Sequence, residues 1–169
     1  MDFRTFKAAL KHADSICIGG GEPTIHPKFE KFLFYALAHC DYIQMVTNGS
    51  ITNTALALAK LNQMGEGFYA ELSQDPYHDP IEQKVIDAFK NRIWDTSKHL
   101  INAGRCDFGV RDDCICDGDP FVKPNGDVHQ CGCEDSPKVG TVFDKELRPI
   151  NSYENYGEWI CHKKVAEMV

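Results

Sequence analysis

Two closely spaced cysteine pairs are the residues whose types and spacing most directly suggest chemistry. Cys114 and Cys116 form one pair, and Cys131 and Cys133 form the other, across the turn signal Asn125-Gly126. Four thiolates brought together by a hairpin match the tetrahedral coordination of a structural Zn²⁺. The alternative stays open that these are free thiols in a reducing compartment.

The ligand set itself also stays open. Four further residues are able to replace a cysteine of the two pairs: Cys106, His129, Cys161 and His162. Cys17 and Cys40 fall on predicted apolar faces, and we expect both to be small core residues. Because no apolar secretory segment opens the chain, its eight cysteines favour metal binding over disulfides.

A glycine loop provides the second group of candidate residues. The apolar run Ser15–Ile18 leads into Gly19-Gly20-Gly21, which is followed by Glu22 and Pro23, and Pro27 opens a helical pattern. Three residues without a Cβ let a ligand approach the backbone closely, and Glu22 adds a carboxylate. The alternative is an ordinary strand-to-helix turn in which Glu22 only caps the next helix.

The next two predicted strands also end in polar residues. Thr47-Asn48-Gly49 ends the strand Tyr42–Thr47, and Ser73 follows the strand Gly67–Leu72. Asn-Gly also serves as an ordinary turn after a strand, so this alternative stays open. Because the carboxyl ends of parallel strands meet at one edge of a sheet, we expect these residues to lie beside the glycine loop.

Alternating strands and helices must position these residues. Apolar residues at three- and four-residue spacings predict helices at about 3–12, 27–39, 52–64 and 80–91. With the strands between them the order is α-β-α-β-α-β-α, which predicts right-handed crossovers and a parallel sheet. The predicted fold class is therefore α/β.

The composition divides the chain into two predicted domains. Residues 1–104 carry the alternating strands and helices, whereas residues 105–169 are rich in Cys, Asp and Gly. The second part shows a hairpin at 120–129, a strand at 139–143 and a last helix at about 153–168. We therefore predict an α/β core followed by a small cysteine-rich, metal-binding module.

The glycine loop and its surroundings resemble the radical S-adenosylmethionine superfamily. Gly20-Gly21-Glu22-Pro23-Thr24-Ile25-His26-Pro27 is similar to the GGEP motif of that family, and Thr47-Asn48-Gly49 follows in the expected order. The resemblance implies a partial parallel (β/α) barrel-like sheet whose loops bind S-adenosylmethionine. The binding residues implied in this way are Gly19, Gly20, Gly21, Glu22, Pro23, Thr47, Asn48 and Ser73.

The C-terminal part shows a second resemblance. The stretch from Cys116 to Phe143 is similar to the cysteine-rich extensions of radical maturases, known as SPASM and twitch domains. That resemblance implies auxiliary iron–sulfur clusters. We nevertheless expect zinc when the protein is handled in air.

The cysteine motif that makes this family catalytic does not occur in the chain. Its enzymes hold a [4Fe–4S] cluster with three cysteines, usually spaced CxxxCxxC. Here Cys17 is the one cysteine before Gly20. We therefore expect no catalytic residue and interpret the chain as a non-catalytic binding or regulatory protein with a structural metal. The alternative is a fragment of a radical enzyme whose cluster-binding N-terminus is missing.

Charge and hydrophobicity limit the classes of partner. The chain has 169 residues, a net charge of −7 and no apolar run long enough to span a bilayer, so we expect a soluble, cytoplasmic protein. Nucleic acid is an unfavourable partner, because phosphate contacts need clustered Lys and Arg. We expect the exposed sheet edge at Asp14–Ile18 to be covered by the N-terminal helix, by the cysteine-rich module, or by a protein partner or self-association.

Overall fold

Two compact units make up the computed structural model, which describes residues 1–95, 120–130, 132, 136–145 and 147. The larger unit is Ser15–Asp112, and the smaller unit combines Met1–Asp14 with Asp113–Val169. The N-terminal helix therefore groups with the C-terminal segment. The division at residue 104 and the helix at 153–168 fall outside the described residues and stay predictions.

A parallel sheet of four strands forms the larger unit. The strands neighbour each other in the order in which they occur in the chain, and each neighbouring pair is parallel. The predicted α/β class with a parallel sheet is therefore confirmed. The strands are β1 (Ser15–Ile18), β2 (Tyr42–Thr47), β3 (Phe68–Gln74) and β4 (Ile93–Asp95).

Helices connect the successive strands of this sheet, as the periodicity predicts. Crossovers between neighbouring parallel strands are right-handed, which brings successive helices to one face of the sheet. Burial alternates along the central strands: Met45 and Ala70 are fully buried, whereas Gln44 and Glu71 are half-buried. One face therefore forms the core and the other is partly accessible. The connecting helices are α2 (Phe29–Leu37), α3 (Thr52–Met64) and α4 (Gln83–Phe89).

α2 begins two residues later than its sequence pattern predicts. Lys28 precedes the helix and is not helical, with φ −119° and ψ 20°, so the helix begins at Phe29. His26 is extended, with φ −66° and ψ 126°, as is usual for a residue before proline. A short 3₁₀ helix, Pro23–Ile25, instead fills the connection from β1, and Glu22 is its N-cap. The capping bond holds the Glu22 side chain against the start of this short helix, directly after the glycine loop.

Cys17 is exposed, so the expectation that it is a small core residue is wrong. Residues of a strand alternate between the two faces of a sheet, and Cys17 pairs in register with the half-buried Gln44, opposite the core. Cys40 is partly buried. β1 is the first strand in the sheet order, and the protein partner predicted to cover it stays a prediction.

A buried side-chain amide binds the backbone of β3. Asn62 of α3 is 8% exposed, and its Nδ2 donates to the carbonyl oxygen of Ala70 at 2.8 Å. Its Oδ1 accepts from the N–H of Ala70 at 2.7 Å. The short β4 pairs with β3 at Leu72, Ser73 and Gln74, so Asn62 satisfies two backbone groups earlier in β3.

We expect Asn62→Ala to lower the free energy of unfolding by about 2–4 kcal/mol, because it leaves two buried backbone groups without partners. The control is Asn53→Ala at an exposed position of the same helix, where the helix propensity changes in the same way and the expected effect is within about 0.5 kcal/mol. Urea denaturation measures both variants. Equal stabilities would contradict the role assigned to Asn62.

The smaller unit contains one helix and an antiparallel sheet of three strands. α1 (Phe3–Ala9) is capped by Asp2, with the carboxylate Oδ1 accepting from the N–H of Thr5 at 2.7 Å. The hairpin turns at Asn125-Gly126, where Gly126 has a φ of +93°. The strands are β5 (Phe121–Val122), β6 (Asp127–His129) and β7 (Lys138–Thr141), with β6 in the middle.

Candidate functional site

The loops after β1, β2 and β3 lie at one edge of the parallel sheet. They begin at Gly19, Asn48 and Asp75, directly after the last residue of each strand. The strands are parallel, and their register pairs Ile18 with Met45 and Thr47 with Leu72. The three loops therefore share the carboxyl edge, which is where open parallel sheets bind their ligands.

The Glu22 carboxylate connects the first of these loops to the second. Its Oε1 accepts from the hydroxyl of Thr47 at 2.8 Å, and its Oε2 accepts from the N–H of Asn48 at 2.6 Å. Oε1 also accepts from the N–H of Thr24 at 3.0 Å and from the hydroxyl of Thr24 at 2.5 Å. Glu22 therefore caps the 3₁₀ helix and, in addition, joins the glycine loop to the end of β2.

Thr47 is the centre of this network and is fully buried. Its hydroxyl donates to Glu22 and accepts from the N–H of Gly49 at 3.1 Å. Its carbonyl oxygen lies 3.4 Å from the hydroxyl of Ser73, which donates to it from β3. The ends of three neighbouring strands are thus held together through one threonine.

The carboxylate of Glu22 keeps room for one further donor. An ionised carboxylate offers about two lone-pair positions on each oxygen, and here the positions of Oε1 are taken by three donors, whereas Oε2 accepts one bond and has one position left. All four donors are neutral, and within the described residues no ion pair involves Glu22. A half-buried carboxylate without a counter-ion favours a cationic ligand group at Oε2.

The glycines of the two loops serve different purposes. Gly20 and Gly21 have φ values of +81° and +40°, and among the described residues no atom lies within 4 Å of a Cβ placed on either. Glycine therefore suits these two positions because of their backbone conformation, and the space beside the loop is open among the described residues. Gly49, with a φ of +73°, is packed instead, because a Cβ there would lie 2.8 Å from Cδ1 of Leu72.

The remaining predicted binding residues differ in accessibility. Pro23 is the first residue of the 3₁₀ helix, where its missing N–H costs nothing. Asn48 is half-buried, and its Oδ1 accepts from the N–H of Ser50 at 2.9 Å. Ser73 is 8% exposed and holds Thr47. The glycine loop and Asn48 are thus accessible at this edge. Thr47 and Ser73 are buried, and their hydrogen bonds hold the loop residues in place.

The third loop is organised around its own histidine. His78 lies between two acceptors, with Nδ1 3.1 Å from the carbonyl oxygen of Ser73 and Nε2 3.3 Å from Oδ2 of Asp75. The Asp75 side chain is 7% exposed, and its Oδ1 accepts from the N–H of Tyr77 at 2.8 Å. The bond from Tyr77 to Asp75 is that of an Asx turn, so Asp75 serves as a turn residue in this loop.

Tyr69 forms a polar pair with Glu71 on the accessible face of the sheet, which the sequence analysis did not identify. Its hydroxyl donates to Oε1 of Glu71 at 2.9 Å, and the guanidinium of Arg92 lies 5.1 Å from the ring centroid. The hydrogen bond to the carboxylate raises the pKa of Tyr69, and burial adds to this effect. The available signal was the alternation of polar residues with the buried Ala70 and Leu72 along β3.

The predicted metal site falls largely outside the described residues. Among the described residues, no three His, Cys, Asp or Glu side chains come close enough to hold a metal ion. His129 is described: it is 9% exposed in β6, and its Nδ1 lies 2.7 Å from the carbonyl oxygen of Ser136. The predicted and alternative ligands outside the described part are Cys106, Cys114, Cys116, Cys131, Cys133, Cys161 and His162.

Comparison of the chain with protein-family models, curated proteins and solved structures finds no match. The resemblance to radical S-adenosylmethionine enzymes therefore rests on the sequence motifs alone. In the part of the chain that is described, no helix combines the length and the apolar character that a membrane crossing requires.

Proposed function

We propose that these 169 residues form a binding protein for S-adenosylmethionine or a closely related amine-bearing nucleoside, without radical chemistry of their own. The observation that carries the proposal is the Glu22 carboxylate, fixed at the carboxyl edge of the sheet by four neutral donors. A structural metal in the cysteine-rich segment is the second part of the proposal.

The α-amino group of such a ligand suits the remaining lone pair on Oε2 of Glu22. An ammonium group donates without accepting, and a hydrogen bond between two charged groups contributes about 1.5–3 kcal/mol. Thr47 and Asn48 hold the carboxylate in place before a ligand arrives. Binding therefore needs little further ordering of this side chain, which favours affinity.

The glycine loop supports the same ligand. Gly19, Gly20 and Gly21 are exposed and border open space among the described residues. Backbone N–H groups of a loop with positive φ values form concavities that bind anions, so the carboxylate of an amino acid suits this loop. An amine and a carboxylate on one carbon would then engage Glu22 and the glycine loop together.

The sheet topology supports a partial barrel. Strand order follows chain order, and right-handed crossovers bring the helices to one face. Barrels of alternating strands and helices share this arrangement, and their ligands bind at the carboxyl ends of the strands. Doubly wound sheets differ, because their strand order reverses at a switch point.

Binding rather than reductive cleavage is assigned because the chain contains no CxxxCxxC sequence. A [4Fe–4S] cluster of the reductive type needs three thiolates at one place, and Cys17 is the cysteine nearest to the glycine loop in sequence. In the alternative function, the same loops serve a radical enzyme that receives its thiolates from another segment or chain.

Calorimetry with three ligands tests the proposal. S-Adenosylmethionine and S-adenosylhomocysteine carry the α-amino group, whereas methylthioadenosine has the nucleoside without it. We expect the first two to bind and methylthioadenosine to bind at least about tenfold more weakly, since loss of a charged hydrogen bond costs more than the 1.4 kcal/mol that corresponds to a factor of ten. Equal affinities, or no binding of any of the three, would sink the proposal.

Metal and sulfide analysis of anaerobically purified protein tests the second part. We expect about one zinc per chain, as a tetrahedral site requires, and no acid-labile sulfide. Iron together with sulfide would replace the zinc centre by an auxiliary cluster and bring redox chemistry back. Protein free of both metals would remove the metal centre from the proposal.

A further inference from the structure

His78 of the third loop lies between two oxygen atoms that can only accept. Its Nδ1 lies 3.1 Å from the carbonyl oxygen of Ser73, and its Nε2 lies 3.3 Å from Oδ2 of Asp75. A neutral imidazole donates through one ring nitrogen and presents a lone pair at the other, so either neutral tautomer places a lone pair against an oxygen. The imidazolium donates through both nitrogens and suits both oxygens. The geometry therefore favours a proton on each ring nitrogen of His78.

The carboxylate of Asp75 also favours a charged ring. Its side chain is 7% exposed, and a buried carboxylate is unfavourable unless a positive charge or hydrogen bonds compensate for the lost water. Among the described residues, Asp75 is the one carboxylate within ion-pair distance of the His78 ring. The other charged groups of the surrounding elements are Asp79 of the same loop, Glu22 of the first loop, and Glu82 and Lys84 at the start of α4, which pair with each other.

A continuous chain of hydrogen bonds connects His78 to the candidate ligand site. The carbonyl oxygen of Ser73 accepts from the ring, and the hydroxyl of Ser73 donates to the carbonyl oxygen of Thr47 at 3.4 Å. The hydroxyl of Thr47 donates in turn to Oε1 of Glu22 at 2.8 Å. Both linking residues are buried, and hydrogen bonds are stronger in such surroundings than in water. The position of the Glu22 carboxylate is thus linked to the third loop.

We infer that His78 is a positioning residue whose protonated form holds the third loop in place. Through Ser73 and Thr47, the loop then keeps Glu22 ready for the ligand. The inference rests on the proposed function and adds its regulation by pH. When the ring loses its proton as the pH rises, one of its two contacts becomes a lone pair against an oxygen, and the loop is held less firmly. Ligand affinity should therefore be highest at low pH and fall as the pH rises through the titration of histidine.

NMR of the ligand-free wild-type chain, labelled with ¹⁵N, tests the proton without a mutation. We expect both ring nitrogens of His78 to be protonated at neutral pH, and the His78→Gln variant assigns their signals by losing them. As the pH is raised, the amides of Asn48 and Gly49 should shift together with the ring, because they donate to Glu22 and Thr47. A neutral ring at neutral pH, or amides that do not follow the ring, would overturn the inference.

Calorimetry with S-adenosylhomocysteine over the same pH range tests the effect on binding. We expect the wild-type affinity to fall about three- to tenfold as the ring loses its proton, which is the effect of one lost hydrogen bond. His78→Gln does not titrate here, so it should lack this step and keep the part caused by the amino group of the ligand. The matched control is His39→Gln, an exposed histidine just after α2, which should keep the wild-type profile.

The two experiments separate this inference from the proposed function. Identical pH profiles of the wild type and His78→Gln would overturn the inference and leave the binding function standing. A chain that does not bind S-adenosylhomocysteine at any pH would remove the proposed function. In that case the ring and amide titrations still decide whether the proton on His78 positions Glu22.

Discussion

Replacing Gly49 by alanine is expected to lower the free energy of unfolding by about 2–5 kcal/mol. Two effects add up at this position. The φ of +73° lies in the left-handed region, where a Cβ costs about 1–2 kcal/mol. The new methyl group would also lie 2.8 Å from Cδ1 of Leu72 and 3.3 Å from Cγ1 of Val85, both fully buried, and overpacking of a core costs about 1–3 kcal/mol.

Gly20→Ala is the matched control for this prediction. Its φ of +81° is similar, but among the described residues no atom lies within 4 Å of the added Cβ. Only the backbone cost remains, so we expect a loss of about 1–2 kcal/mol. Chemical denaturation of both variants separates the two effects. If Gly49→Ala were no less stable than Gly20→Ala, the packing of the second loop against β3 and α4 would be wrong.

Glu22→Gln is expected to abolish most of the ligand binding and to weaken the fold. In the wild type, Oε2 accepts from the N–H of Asn48 at 2.6 Å. In the variant, the amide oxygen can take the place of Oε1, but the NH₂ group then faces this N–H. A charged hydrogen bond is lost and two donors meet, which we expect to cost about 2–4 kcal/mol of stability. The ammonium of the ligand loses its counter-charge, so the affinity for S-adenosylhomocysteine should fall about 10–100-fold.

Glu66→Gln is the control for charge, because Glu66 is exposed in the turn between α3 and β3. It removes the same charge and should leave both stability and affinity unchanged within error. Calorimetry and urea denaturation measure the two variants side by side. A Glu22→Gln protein that binds as tightly as the wild type would show that the carboxylate serves the loops alone.

Much of the fold was predictable because local patterns determine it. Apolar spacing of three and four residues predicted α2, α3 and α4, and the alternation of helices with strands predicted the parallel sheet. The start of α2 was misplaced because the sequence pattern puts Pro27 at its first position, whereas Lys28, with φ −119° and ψ 20°, is its non-helical N-cap. The predicted burial of Cys17 was wrong, because an apolar run does not show which face of a strand each residue occupies.

The site was predictable in its location but not in its contacts. Parallel topology was enough to bring the three loops to one edge. The bonds from Thr47 and Asn48 to Glu22 depend on the register of β1 against β2, which pairs Ile18 with Met45 and has no local sequence signal. The same is true of Asn62, which binds Ala70 across a turn between helix and strand.

The most direct test of the central claim is an amide NMR titration of the wild-type chain with S-adenosylmethionine. We predict saturable shifts of the backbone amides of Gly19, Gly20, Gly21, Asn48 and Gly49, with one common dissociation constant. The prediction follows from a ligand bound between the glycine loop and the end of β2, beside Glu22. A spectrum that does not change, or one whose changes spare these five amides, would contradict the proposed function.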